Sequence, residues 1–129
     1  MATTWIDLVT YVRFRYEIFQ QTEDTLRFHL PTSGERTQRV AVHHVRSDGA
    51  DWVVIESGIA MAKDVDLGRL LELAGKSSIG GVVSVDGVVL FRHCASLADL
   101  SLDSFDGPFQ LVANAADTLE HQLTGADRF

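Results

Sequence analysis

The chain has 129 residues, 46% hydrophobic and 22% charged, with a net charge of −7. That length suits one domain with its own core, and that balance is globular rather than disordered or fibrous. The acidic excess argues against a nucleic-acid binder, the single Cys excludes an internal disulfide framework, and no apolar run approaches a membrane span.

Charge divides unevenly along the chain. Residues 1–50 hold six Lys/Arg and six Asp/Glu, whereas residues 51–129 hold five and twelve, so the whole excess lies in the second part. Arg13, Arg15, Arg27, Arg36, Arg39 and Arg46 make either a basic patch or, more simply, solvated cations balanced by acids. The opening Met-Ala-Thr-Thr-Trp-Ile-Asp has no basic n-region and predicts no signal peptide. With one Cys, the expected setting is the reducing cytoplasm.

The first element is a helix. Thr3 or Thr4 caps it, Asp7 complements its dipole, and Trp5, Leu8, Val9, Val12 and Tyr16 recur at helical spacing. Ile6, Tyr11 and Phe14 lie off that stripe, so the helix is either deeply buried or offers them to a partner. Glu17–Gln21 starts a strand that Thr22-Glu23-Asp24 interrupts. Thr25–Leu30 alternates as a strand should, and Pro31 to Glu35 is turn chemistry.

Arg39–Arg46 and Asp51–Ser57 are the next strands, linked by Ser47-Asp48-Gly49-Ala50, and Gly58 allows a bend or bulge. Asp64 or Asp66 caps a second helix from Leu67 to Ala74, which Gly75 stops. Ile79 to Cys94 then reads as two β-branched runs around Asp86-Gly87, the pair a type I′ hairpin turn demands. Ser101 to Asp106 leads into a third helix that ends near Gly125. Its stripe is Phe105, Phe109, Val112, Ala116, Leu119 and Leu123, with Pro108 in the first turn. The sum is a single α+β domain over residues 1–129, order αβββαββα, an antiparallel sheet covered by helices. The first and third helices are expected on the same sheet.

Catalytic signals are absent from the pattern. Gly75-Lys76-Ser77 resembles the tail of a phosphate loop, but Leu70 stands where the motif needs Gly, and a helix precedes it. His43-His44 and His93-Cys94 are adjacent strand pairs, so each points to opposite faces and cannot chelate one metal. Cys94 and Trp52 are expected to pack inside. No metal, cofactor or catalytic residue is predicted.

Three passages resemble the type III secretion chaperone-like fold, as in CesT-type chaperones and YbjN-type families. They are Trp52-Val-Val-Ile-Glu-Ser-Gly before Val65–Ala74; the hairpin ending Asp86-Gly87-Val-Val-Leu-Phe-Arg-His; and Leu97 to Phe105 entering Ala115 to Leu123. The resemblance spans roughly residues 39–125; Ala74-Gly75 stands where YbjN-like chains often carry Asn. It implies a small homodimer, without cofactor or catalysis, that binds an extended segment of a partner protein. It also implies a dimer contact on the second helix. There Leu67, Leu70, Leu71 and Leu73 spread over more than one side, and Leu73 has no evident use in a monomer.

Two other classes stay open. A deep pocket with His43 or His93 beside a carboxylate would favour a small-molecule-binding or enzymatic domain. A regulatory module would bind one folded partner.

Overall fold

The structure is a computed structural model, and it describes residues 2–129. In chain order the elements are α1 (Trp5–Arg15), β1 (Ile18–Gln21), β2 (Thr25–Pro31), β3 (Thr37–Ser47), β4 (Ala50–Met61), α2 (Leu67–Ala74), β5 (Gly81–Val85), β6 (Val88–Ser96) and α3 (Asp106–Thr124). Short 3-10 turns at Ala62–Asp64 and Leu102–Ser104 lead into α2 and α3.

The strands form one antiparallel six-stranded sheet of order β1-β2-β3-β4-β6-β5. The α+β class is therefore as the pattern predicts. The interrupted segment before Thr22 does become a strand, the short edge β1, bulged between Ile18 and Gln20.

Local chemistry sets the ends of the elements. Thr4 and Asp7 make a reciprocal capping box on α1, and Asp66 rather than Asp64 caps α2. Gly75 ends α2 in a right-handed conformation, whereas Gly125 ends α3 at φ 70°. Both two-residue hairpin links carry positive φ at each position: Asp48 and Gly49, then Asp86 and Gly87.

All the helices gather on one face of the sheet. Register places Leu26, Phe28, Val40, Val42, His44, Val53, Ile55 and Phe91 on that side. Trp5 of α1 stacks on His44 with centroids 5.3 Å apart, and Phe109 of α3 meets Phe28 edge-on at 4.9 Å. Phe105, Phe109, Val112, Ala116 and Leu119 of α3 are buried, as their spacing requires. Asp106 ties the two helices together. It accepts from Tyr11 Oη at 2.6 Å and from Tyr16 Oη, and pairs with Arg15 Nη2 at 3.3 Å. Burial alone would raise its pKa, but these donors outweigh it and hold Asp106 below the ordinary carboxylate range.

At the far end of the sheet β3 and β4 separate beyond the Ala41–Glu56 pair. Buried Gln38 bridges the gap, donating from Nε2 to Ser57 Oγ (2.8 Å) and to the Gly58 carbonyl (2.6 Å). A bulge follows between Gly58 and Ala60, as Gly58 suggested.

Candidate functional site

Among the described residues no helix lies on the other face of the sheet. Along each strand the alternate residues point there: Thr25, Arg27 and His29 on β2; Arg39, Ala41, His43 and Val45 on β3; Trp52, Val54 and Glu56 on β4; Leu90, Arg92 and Cys94 on β6; Val83 and Val85 on β5. Trp52 and Cys94 are exposed on this face rather than packed inside. Alternation assigns them a face, and this is the face that the helices leave bare.

A polar line crosses its middle. Thr25 Oγ1 lies 2.9 Å from His43 Nδ1, His43 Nε2 lies 2.9 Å from Glu56 Oε1, and Arg92 Nε donates to Glu56 Oε2 at 3.0 Å. His43 first, and Arg92 with it, hold the Glu56 carboxyl below its ordinary range against the opposing effect of burial. Apolar side chains flank the line: Val45, Trp52 and Val54 on one side, Ala41, Val88 and Leu90 on the other. The hydroxyl–imidazole–carboxylate order is that of a nucleophilic triad. Such a triad also needs a pocket for the scissile bond and donors for an oxyanion. Here the line runs along an open sheet, and the adjacent cleft takes in Glu56 but neither Thr25 nor His43. The line pairs one half-buried carboxylate between apolar flanks.

That cleft has a volume of about 470 Å³ and runs from β1 to β6 across one end of the sheet. Its walls include Phe19, Val88, Leu90 and the ring of Phe129, which reaches the sheet beside Gly58. The segment after α3 is clasped by Glu120, whose Oε2 accepts from the backbone N–H of Arg128 (2.7 Å) and Phe129 (3.2 Å). Arg36 completes the clasp, donating to the Ala126 carbonyl at 2.6 Å and to Asp117 at 2.9 Å. Asp117, Glu120 and Asp127 gather their oxygens within 4.8 Å of one another, a spacing compatible with a metal ion. The Arg36 guanidinium already stands among them, 3.7 Å from Glu120 and 3.8 Å from Asp127, so the cluster reads as an ion-paired socket. Burial raises the Glu120 pKa all the same.

The residues singled out from the sequence fall in several places. Ile6 and Phe14 stand out of α1, 75% and 87% exposed, but Tyr11 is half-buried and committed to Asp106. On α2, Leu70 is in the core at 1% exposure, while Leu67 and Leu71 are 49% and 61% exposed. Leu73 does have a use within one chain. It packs against the core and lines an apolar groove of about 610 Å³ with Phe91, Leu111 and Ala115. His43 lies on the bare face beside Glu56, and His93, opposite Ile55, on the covered one, so the two never meet. No protein-family model and no curated protein matches the chain. Among the described residues no helix is long and apolar enough to cross a membrane.

The sequence pattern assigns no role to Glu56, Arg92 or Phe129, and it offers Arg27 and Arg39 only as two of six arginines in a candidate basic patch. The signal for Glu56 was present: the Asp48-Gly49 turn sets Ser47 opposite Ala50, and counting back along the strands brings Glu56 opposite Ala41, next but one to His43.

Proposed function

We propose that this domain is a non-catalytic, chaperone-like protein-binding module that holds an extended segment of a partner protein against the bare face of its sheet. The observation behind this reading is that face itself. It sets Val45, Trp52, Val54, Val85 and Leu90 toward solvent on a rigid six-stranded frame, with no helix over them. Exposed apolar patches of this kind, here two that flank the Thr25–His43–Glu56–Arg92 line, mark a place of interaction on a small domain. An extended segment can lay alternate side chains into it, and main-chain pairing at an edge strand can add to the affinity. Ile6 and Phe14 offer a further apolar contact on the helical side.

The module works as a homodimer. The β5 edge has no charge, Pro or bulge from Ile79 to Val85, unlike short, bulged β1. Natural edges of that kind are paired or covered. α2 packs beside β5 and α3, and its Leu67 and Leu71 are exposed. The resemblance to the type III secretion chaperone-like fold points the same way, and a reducing cytoplasmic setting suits an exposed thiol at Cys94.

The test is a set of tiled extended peptides titrated into isotope-labelled protein. Amide shifts clustering at Val45, Trp52, Val54 and Leu90 are expected. Shifts confined to the helical side, or none with any peptide, would refute the reading.

A further inference from the structure

We infer that the cleft running from β1 to β6 across one end of the bare face selects acidic segments: an extended peptide in which Asp or Glu alternates with aromatic or large aliphatic residues. This rests on the reading above and names the chemistry of its partner.

Two arginines carry the argument. Arg27 pairs opposite Ala41, and Arg39 opposite His29, so the two are diagonal neighbours on one face of adjacent strands. Diagonal neighbours stand about 7–8 Å apart, close enough for both guanidiniums to reach one extended chain. Both line the cleft. Among the described residues neither side chain makes a hydrogen bond or ion pair, as is also so for Arg46, Arg69 and Arg128, whereas Arg13, Arg15, Arg36 and Arg92 all have side-chain partners.

What sets these two apart is that they lie side by side in one cleft, on a chain with 18 Asp and Glu against 11 Lys and Arg. The carboxylate in the cleft, Glu56, is already engaged by His43 and Arg92, so it does not neutralise the arginine pair. The result is a local positive site on an acidic molecule. Guanidiniums present a planar fork that suits carboxylates.

The rest of the cleft sets the second requirement. Phe19, Val88 and Leu90 make apolar walls, and Phe129 shows that a benzene ring seats there. Phe19 also packs on His29, with centroids 4.4 Å apart, which steadies the wall nearest Arg39. A volume of about 470 Å³ lies within the range of ligand-sized clefts. A basic segment would be repelled, and a purely polar one would leave the walls bare.

Three short peptides test this, each acetylated and amidated, with the same alternating Phe and Leu and with Glu, Gln or Lys between them. Each is titrated into labelled protein at low salt and at about 0.3 M salt. The Glu peptide should bind about tenfold tighter than the Gln peptide, shift the Arg27, Arg39 and Leu90 amides, and weaken with salt. The Lys peptide should bind weakest. Arg27→Gln with Arg39→Gln should bring the Glu peptide down to the Gln peptide's affinity, leaving the latter and the circular dichroism spectrum unchanged. Equal binding of the Glu and Gln peptides on the bare face would overturn this inference and leave the binding module standing. So would a preference that survives the double substitution. Failure of all three to bind that face would count against both.

Discussion

The ring of Phe129 occupies the place that any side chain at Gly58 would need. A Cβ built on Gly58 would come within 2.4 Å of Phe129 Cδ1. The ring is the end of a movable side chain, held from behind by Glu120, so Gly58→Ala should expel it from the cleft rather than deform β4. Gly58→Ala and Phe129→Ala should each lower stability by about 1–2 kcal/mol. The double variant should lose little more than either, because both remove one contact. Urea unfolding of the four proteins measures this. Full additivity would show that the contact carries no energy.

Glu56 should give the sheet an acid-sensitive component. Its folded pKa lies below the ordinary value, so the folded state favours the carboxylate more than the unfolded chain does. The stabilisation is complete above the unfolded pKa and is lost as pH falls through the folded one. Between about pH 5 and pH 3 the wild type should therefore lose stability more steeply than Glu56→Gln, which has no carboxylate to protonate. Urea midpoints across that range supply the comparison, and parallel curves would remove the assignment.

Asp106 should act as the latch between α1 and α3. Asp106→Asn keeps the shape but weakens charge-assisted bonds to Tyr11, Tyr16 and Arg15. A loss of about 1–2 kcal/mol is expected. Hydrogen exchange should rise first in α1, with β3 and β4 protected as before. Uniform loss of protection across the sheet would place the effect elsewhere.

These features differ in how far the sequence revealed them. The stripe from Phe105 to Leu123 and the two Asp-Gly turns are local signals, and the chain obeys them because nothing distant competes. The pairing of β4 with β6 joins segments separated by α2 and β5, so the Glu56–Arg92 contact was beyond any local rule. Trp52 and Cys94 could be assigned a common face with Val54, but which face the helices would cover depends on the whole packing. Buried Asp117 and Glu120 break the apolar stripe of α3 because Arg36, 81 residues before Asp117, reaches in to pair with them. The same limit explains Leu73, whose surroundings come from α3 and β6.

The dimer prediction moves accordingly from Leu73 to Leu71. Leu73 is packed within the chain, and a charge there would damage the fold itself. Leu71 is exposed, so Leu71→Glu should leave the circular dichroism spectrum intact while weakening association at least about tenfold, since a two-fold axis makes one substitution act twice. Leu70→Ala is the contrast: Leu70 is in the core, and its truncation should cost about 2–5 kcal/mol of folding stability. The edge strand permits a second test. Val85 and Val88 close the two-residue turn as a hydrogen-bonded pair, so Val83 and Gly81 also bond toward β6. Val82 and Ser84 then direct their N–H and C=O groups outward, and two copies paired about Val83 would join Val82 of one to Ser84 of the other. Ser84→Pro removes an outward N–H without breaking a bond to β6, and it should yield a folded monomer by light scattering. A wild-type protein that is monomeric at high micromolar concentration would overturn the dimer and both of its variants' rationale.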